Sequence, residues 1–487
     1  MSFQSLDFLA FLAITAGLCY AAAGLDRHLA AVCLTIASLL FYIVGGGWGA
    51  FLVLIVGLAV SAAAARYLTA EIPAGGRGAG KPAKSPACRR CCLACASAWH
   101  IGILAVFKYA SFFTGGRISL SSPPLGLSFF TFQQLWLLKE VYTGDFRLGR
   151  RDSLPLYAFF FPTAVSGPIL KPQAFFPQLH NEKFLQPDSR DVAAGLCAIT
   201  GGMAKKVLLS DNLGVVVNTG WEHLAELSAP DAWLVILGYT LQLYLDFSGY
   251  CDIAAGSARL LGLRLPVNFN SPYRSLSAGE FWRRWHITLT GFLRECVYVP
   301  LGGSRRGMNR TCINILTVFL ISGLWHGAGW TFIVWGGLHG LAQVAERLWG
   351  KRRDRLPASI RWLLTFFFVN MAWVFFRAPS LSGALALLKA AFAGGLCFPS
   401  SRLLNGVLPN EAAALGILLP ALEPWAGLLL TLLIFGAALT VVFWPRNMTE
   451  IMERFEPVSW RCAVLAALAA WSILSFTGVE TFIYSNF

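Results

Sequence analysis

Long apolar runs recur from one end of the chain to the other, at residues 6–25, 29–44, 51–68, 233–247, 313–324, 362–376, 425–444 and 464–476. Several reach or approach the roughly 20 apolar residues that a helix needs to cross about 30 Å of hydrocarbon. Backbone N–H and C=O groups in hydrocarbon must be satisfied within the protein, which leaves helices or a closed barrel. The runs are too long, and too poor in strict alternation, for barrel strands. The pattern therefore predicts an all-α polytopic membrane protein with about ten to twelve spans. The first run has no basic segment ahead of it, since Asp7 is the first charge. It reads as a retained spanning helix and not as a cleaved leader.

The interruptions are as informative as the runs. Residues 71–86 hold Pro73, Gly75, Gly76, Gly78, Gly80 and Pro82, turn formers that predict a flexible loop, extended by flanking residues to about 69–92. Residues 171–191 carry several prolines and too many polar groups to span. The largest break, 265–298, mixes Asn268, Asn270, Glu280, Arg283, Arg284 and His286 with Trp282, Trp285 and Leu289. Helical spacing would put Trp282, His286, Leu289 and Leu293 on one face, which predicts an interfacial or re-entrant amphipathic element. No internal repeat is visible, which weakens a transporter built on inverted repeats. The chain reads as a single membrane domain, 1–487, with its distinctive segments between 124 and 345.

Composition agrees: 56% of the 487 residues are hydrophobic and 13% charged, whereas a soluble domain is about one quarter charged. The net charge of +14 suggests nucleic acid until the charges are located. Lys81, Lys84, Arg89 and Arg90, then Arg147, Arg150 and Arg151, then Arg305, Arg306 and Arg310, then 347–361, all flank apolar runs. Basic loops beside spans mark the cytoplasmic side and meet anionic lipid head groups, so no nucleic-acid partner is expected. Most of the 12 cysteines lie in apolar runs. Cys88, Cys91, Cys92 and Cys95 have C-x-x-C spacing that a metal can use. A basic loop meeting a span, with cysteine as a small apolar residue, explains them as well, and no metal is expected.

An ionisable group inside a span is expensive and is a functional candidate by default. His326, in Gly323-Leu-Trp325-His326-Gly327-Ala-Gly329, is the clearest. The glycines strip side chains from around the imidazole and admit other backbone or a thin substrate. Imidazole titrates near neutrality and takes a proton from a hydroxyl readily. The competing reading is a packing histidine bonded to a neighbouring helix. His286 is flanked by arginines and tryptophans and reads alone as an interfacial polar residue. Asp246 and Asp252 lie near the end of an apolar run, where Arg274, Arg283 or Arg284 would pair with them. Lys205 and Lys206 look like a snorkelling helix end. His28, His100, His180 and His223 fall at span edges or in loops.

Taken in order, Tyr244-Leu-Asp-Phe-Ser-Gly-Tyr-Cys-Asp252, Asn268-Phe-Asn-Ser-Pro-Tyr273, Glu280-Phe-Trp-Arg-Arg-Trp-His-Ile-Thr-Leu289, Leu301-Gly-Gly-Ser304 and Gly323-Leu-Trp-His-Gly327 resemble the membrane-bound O-acyltransferase (MBOAT) family. Within it they look most like the branch that acetylates alginate and related exported polysaccharides. Pro124–Phe132, Ser166-Gly-Pro168, Phe176–Leu179, Lys205-Lys206 with Asp211-Asn212, and the ending Phe482–Phe487 are similar too. The chain departs from the pattern at Glu140, at Cys296 after Glu295, and at Ser485-Asn486.

The resemblance implies a ring of spanning helices around a thin centre pierced by a tunnel, in a bacterial inner membrane. It implies His326 as catalytic histidine and His286 as the second histidine. Asn270, Arg284, Asp246 and Trp325 would be the substrate-binding residues. An acyl thioester, acetyl-CoA by expectation, would enter from the cytoplasm. The acceptor would be a hydroxyl of an exported, alginate-like polysaccharide or of a periplasmic SGNH-type acetyltransferase partner. Peptidoglycan O-acetylation and D-alanyl transfer to a cell-wall polymer are alternatives within the class. A proton-coupled transporter and a non-catalytic scaffold are the alternatives outside it.

Overall fold

The computed structural model describes residues 3–69, 85–115, 117, 123–149, 152–181 and 183–476. Helix α1 (Leu6–Leu25) starts where the Ser5 side chain accepts from the Phe8 N–H, and α2 (Arg27–Thr69) runs antiparallel to it. Helix α2 contains both of the predicted runs 29–44 and 51–68. Gly47, at φ 76° and ψ 163°, bends the chain between them, a conformation that an L side chain resists. Helix α3 (Pro86–Phe113) is capped by Ser85 with proline in its first turn, a favoured start. The expected loop at 69–92 therefore ends at Ser85, and 70–84 lie outside the described residues, as do Arg150, Arg151 and the ending 482–487.

Then come α4 (Leu127–Thr143), the short α5 (Leu154–Phe159) and α6 (Pro172–Leu179), α7 (Ser189–Met203), α8 (Asp211–Glu222) and α9 (Ala229–Leu260). Helices α7 and α8 are joined by a π-helical stretch, Ala204–Ser210, into one 34-residue rod. Helix α9 is buried along nearly all of its 32 residues and is the central post. It packs on α7 through glycines. A Cβ on Gly202 would lie 2.5 Å from the Gly249 carbonyl oxygen, and one on Gly256 would lie 2.5 Å from that of Gly195. Two glycine pairs, each seven residues apart on its helix, let the backbones touch.

Short helices α10 (Ala278–Arg284) and α11 (Ile287–Leu293) precede α12 (Gly307–His326), α13 (Trp330–Trp349) and α14 (Ala358–Arg377). Helices α12 and α13 cross at Gly323 and Gly336, where added Cβ atoms would lie 2.4 Å from Phe332 and Phe319 carbonyl oxygens. The chain closes with α15 (Leu381–Ala393), α16 (Ser401–Leu404), α17 (Pro409–Leu418), α18 (Ala426–Phe443), α19 (Met448–Glu453) and α20 (Ser459–Leu474).

Among the described residues there is no strand, and seven helical stretches are long and apolar enough to cross a membrane: α1, α2, α3, the α7–α8 rod, α12, α14 and the stretch ending in α18. All eight predicted runs fall within helices, apart from a residue or two at the ends of 425–444 and 464–476. Helices α9 and α13 are long but too polar to count by composition. Protein surrounds α9, so it carries Asp231, Asp246 and Asp252 where a lipid-facing helix would not. Outward apolar side chains such as Ile14, Leu18, Ile36, Leu40, Leu52 and Ile101 are exposed, as lipid-facing positions require. This is an all-α, multi-pass membrane protein.

Candidate active site

The last turn of α12 leaves carbonyl groups without partners in their own helix. Helix α3 supplies them: Tyr109 donates its hydroxyl hydrogen to the Leu324 carbonyl at 2.5 Å, and Lys108 donates to the Trp325 carbonyl. A cation at a helix C-terminus also meets the negative end of its dipole. The Lys108 ammonium lies 5.3 Å from the Trp325 ring centroid as well. The helix thus stops, firmly held, at His326, and Gly327 turns the chain away in extended geometry.

His326 is buried, with ring centroids of Trp325, Trp335 and Phe376 at 4.6, 5.0 and 5.1 Å. The glycines around it admit protein more than substrate. Gly323 receives the α13 backbone, and a Cβ on Gly327 would lie 2.1 Å from the Phe332 ring.

His286 sits where the predicted continuous helical face breaks. It has φ 45° and ψ 54° and separates α10 from α11, so Trp282 and Leu289 do not share one helix with it. Its ring is enclosed by Phe247, Phe129 and Trp325 at 4.8, 6.2 and 6.4 Å. Its Nδ1 lies 3.2 Å from the Asn268 Oδ1. Trp325 touches both histidines and joins them.

Two cavities approach Trp325 from opposite ends of α3 and α4. One, of about 670 Å³, is almost wholly apolar and runs to Tyr142 and Thr143 at the end of α4, where Arg89 donates to the Tyr142 carbonyl, and to Val299 and Pro300, next to Leu301, whose carbonyl accepts from Arg310. Leu93, Ser97, Phe132, Lys139, Glu295 and Trp325 are among its walls. The other, of about 400 Å³, is more polar and lies at the far end, walled by Lys108, Gly126, Phe129, His326, Gly327 and Phe332. Leu104 lines both. Trp325 thus faces one cavity and His326 the other.

The remaining predicted residues are brought together only in part. Asn270 and Arg284 are neighbours. The Asn270 N–H donates to the Arg284 carbonyl at 2.9 Å, and the Arg284 guanidinium returns a bond to the Asn270 carbonyl at 3.3 Å and pairs with Glu280 at 2.9 Å. Asn447 donates to the Asn270 side chain at 3.3 Å. Asp246 lies elsewhere, against Lys206 at 2.8 Å, while Asp252 takes Lys205 at 2.6 Å. The expected arginine partners are therefore replaced by the two lysines. These are no snorkelling helix end: the π-helical turn carries both inward, and Lys206 is as buried as its partner. His100 is not at a span edge but mid-α3 and buried, 2.8 Å from the Ser61 hydroxyl. The cysteine motif lies on the first turns of α3, with Cys91 and Cys95 sulfurs 4.0 Å apart. Among the described residues no group of three metal-ligating side chains converges.

Three participants were not singled out from the sequence. Lys108 had a usable signal, as a lone cation within an apolar stretch. His339, which accepts from the Trp282 indole at 3.1 Å and stacks on Phe281, had its position in an apolar run. The role of Asn268 depends on a turn that periodicity does not reveal.

Residues 154–387 match the membrane-bound O-acyltransferase family. The chain carries an MBOAT-family domain. That domain contains both histidines, Asn268, Asn270, Arg284 and Asp246, whereas Lys108 and the far cavity's Gly126 and Phe129 precede it. The chain is 39% identical over 328 residues to the peptidoglycan O-acetyltransferase of Helicobacter pylori, covering 60% of this chain and 62% of that one. It is 37% identical over 319 residues to the probable alginate O-acetylase AlgI of Azotobacter vinelandii, covering 60% and 61%. It is 26% identical over 274 residues to the teichoic acid D-alanyltransferase of Bacillus subtilis, covering 52% and 68%. The chain spans about three fifths of the length of the first two relatives.

Proposed function

We propose that this chain is a membrane O-acyltransferase that moves an acetyl group from a cytoplasmic thioester, acetyl-CoA, to a hydroxyl of an exported polysaccharide or of a periplasmic acetyltransferase partner. The supporting observation is the placement of His326 in the wall of the far cavity while its neighbour Trp325 walls the other. Basic loops favour the cytoplasmic side of a bacterial inner membrane, so the apolar cavity at the basic end is the donor side.

The chemistry is proton transfer coupled to acyl transfer. A neutral nitrogen of His326 takes the acceptor's hydroxyl proton as that oxygen attacks the thioester carbonyl carbon. Collapse of the tetrahedral intermediate breaks the C–S bond, and the thiolate leaves and takes the proton back from the imidazolium. The aromatic wall of Phe129, Phe132 and Trp325 excludes water that would hydrolyse the thioester. Arg284 and Asn270 brace the segment that carries His286, and Asp246 with Lys206 holds α9 to the π-helical turn rather than touching substrate. Relatives named for alginate and for peptidoglycan lie at 36–39% identity, which favours acetylation of a sugar polymer over D-alanyl transfer.

The test is polymer O-acetyl ester in cells carrying His326→Ala at wild-type membrane abundance. Loss of a general base predicts a fall of roughly 10²- to 10⁴-fold. Unchanged acetylation would remove the proposal and bring transport forward.

A further inference from the structure

The Asn268 Oδ1 receives three contacts: the Thr288 backbone N–H at 3.2 Å, the Thr288 hydroxyl at 2.9 Å, and the His286 Nδ1 at 3.2 Å. A backbone amide can only donate, so the atom it meets must be the carboxamide oxygen and not the nitrogen. The Thr288 hydroxyl in turn accepts from the Ile169 N–H at 3.1 Å, which directs its own hydrogen toward Asn268. The other end of the carboxamide, Nδ2, points to the Cys251 sulfur at 3.5 Å, and the flip that would reverse the assignment would set two donors face to face. An oxygen already committed as acceptor cannot donate to an imidazole. The hydrogen between Asn268 and His286 therefore sits on Nδ1.

The backbone makes this arrangement rigid. The Asn268 carbonyl accepts from the Ile287 N–H at 3.0 Å, and the Asn270 N–H bonds the Arg284 carbonyl. These bonds hold His286 at its positive φ, a conformation few residues other than glycine adopt without support. The opposite ring atom, Nε2, is buried and has no hydrogen-bond partner among the described residues. Phe129, Phe247 and Trp325 surround the ring, and none of them donates to it.

We propose that Asn268 is a positioning residue that fixes His286 as its Nδ1–H tautomer, so that Nε2 presents a lone pair to an N–H or O–H of the bound substrate. Enclosed by aromatic rings, with no carboxylate against it among the described residues, the ring is held neutral. This assigns His286 the part of hydrogen-bond acceptor and excludes that of a donor that stabilises an oxyanion, which would need a hydrogen on Nε2. The proposal rests on the acyltransferase reading for the identity of the substrate, but the tautomer does not.

The experiment begins with a readout independent of catalysis: nitrogen NMR of the full-length protein carrying ring-¹⁵N histidine, with His286 assigned by difference from His286→Gln. The expected result is a protonated, pyrrole-type Nδ1 and a pyridine-type Nε2. The reverse pattern overturns the proposal whatever the enzyme does. The second arm compares Asn268→Asp, which keeps an oxygen acceptor for the same three donors, with Asn268→Ala, using acetyl-CoA and acceptor polymer. Loss of an orienting partner of this kind costs about 10- to 100-fold. The drop is expected in kcat with KM for acetyl-CoA little changed in the alanine variant, and kcat restored to within a few-fold of wild type in the aspartate variant. Equal loss in both variants, or none in either, overturns it. Should the alanine variant not accumulate, the spectrum of the aspartate variant decides alone, a pyridine-type Nδ1 overturning the proposal. Wild-type protein with the expected spectrum but no acetyl transfer would sink the acyltransferase reading and leave the tautomer standing.

Discussion

At Trp325 the side chain walls one cavity, the backbone carbonyl is held by Lys108, and the next residue is the candidate base. Lys108→Met is expected to leave that carbonyl unsatisfied in a buried site, at a cost of about 1–3 kcal/mol. Activity should fall more than abundance, because the end of α12 aims His326. The measurement is acetyl transfer alongside thermal unfolding in detergent, and wild-type activity would show that Lys108 is dispensable. Lys206 offers a contrasting case, since its role is in the fold. Its ammonium lies within 2.8 Å of carboxylates on Asp246 and Asp211. Removing one partner of a buried pair costs about 3–5 kcal/mol, so Lys206→Met should lower the melting temperature sharply, and a melting curve like that of wild type would contradict this account. His326 was legible as a candidate because a lone imidazole among glycines stands out in an apolar run. The contacts of Lys108 and Asn268 were not, because the first meets a carbonyl 217 residues away and the second depends on a turn that periodicity does not reveal.

Helix packing turns on small residues. Association in lipid gains little from apolar burial and depends on close contact of backbones. At Gly202 and Gly256 the facing carbonyl oxygen is already at contact distance, so Gly256→Leu must push α7 and α9 apart. Overpacking of this kind costs about 1–3 kcal/mol or more, and loss of folded protein on size exclusion is expected. Gly17, with open space around it, should accept leucine with little effect and serves as the control. Equal tolerance at both sites would refute the packing argument. Helix positions were readable from apolar runs, and α1 and α18 fall within a residue or two of their predicted limits. The π-helical turn at 204–210 and the left-handed break at His286 were not. Both are imposed by contacts: buried lysines meeting α9 carboxylates in the first case, and bonds from 268–270 to 284–288 in the second.

Across the molecule, Glu295 and Lys139 in the wall of the apolar cavity form an ion-pair cluster with Lys171 and the buried Glu140. Lys171 lies 3.0 Å from Glu295 and 3.2 Å from Glu140. Burial works to raise the Glu295 carboxyl, but hydrogen bonds from Lys171, Lys139 and Trp136 outweigh it and hold the group below its ordinary value. Burial works to lower Lys171, but its hydrogen bonds to Glu295 and Glu140 hold it above its ordinary value. A depressed carboxyl contributes stability that is complete above its unfolded value and lost as pH falls through the folded one. A raised lysine contributes stability that is complete below its unfolded value and lost as pH rises through the folded one. The contribution of Glu295 and Lys171 to the melting temperature should therefore be constant between the ordinary carboxylate and lysine ranges and be lost on either side. Glu295→Gln should flatten the acid limb, and an unchanged acid limb would show that the cluster carries no such linkage. Orientation is a second property at this scale. On the proposed orientation, which puts the basic loops in the cytoplasm, the exposed Cys88 should react with an impermeant maleimide in inside-out vesicles and resist it in intact spheroplasts.

Hydrophobic runs and the cost of exposing backbone to hydrocarbon were enough to establish a helical membrane protein, and the placing of arginines to suggest its orientation. Local cost also singled out His326. The tertiary structure decided what local cost cannot. It chose lysines over arginines for Asp246 and Asp252, gave the glycines around His326 to α13 and Phe332, and set Trp325 beside both histidines, with Trp325 in the wall of one cavity and His326 in that of the other. It also placed α9, whose carboxylates make it polar by sequence, at the protected centre. The reason is that the free energy of a buried charge, a left-handed residue or a helix end depends on the partner that meets it. Those partners come from distant segments, as Lys108 does from 217 residues away, and only the folded chain brings them together.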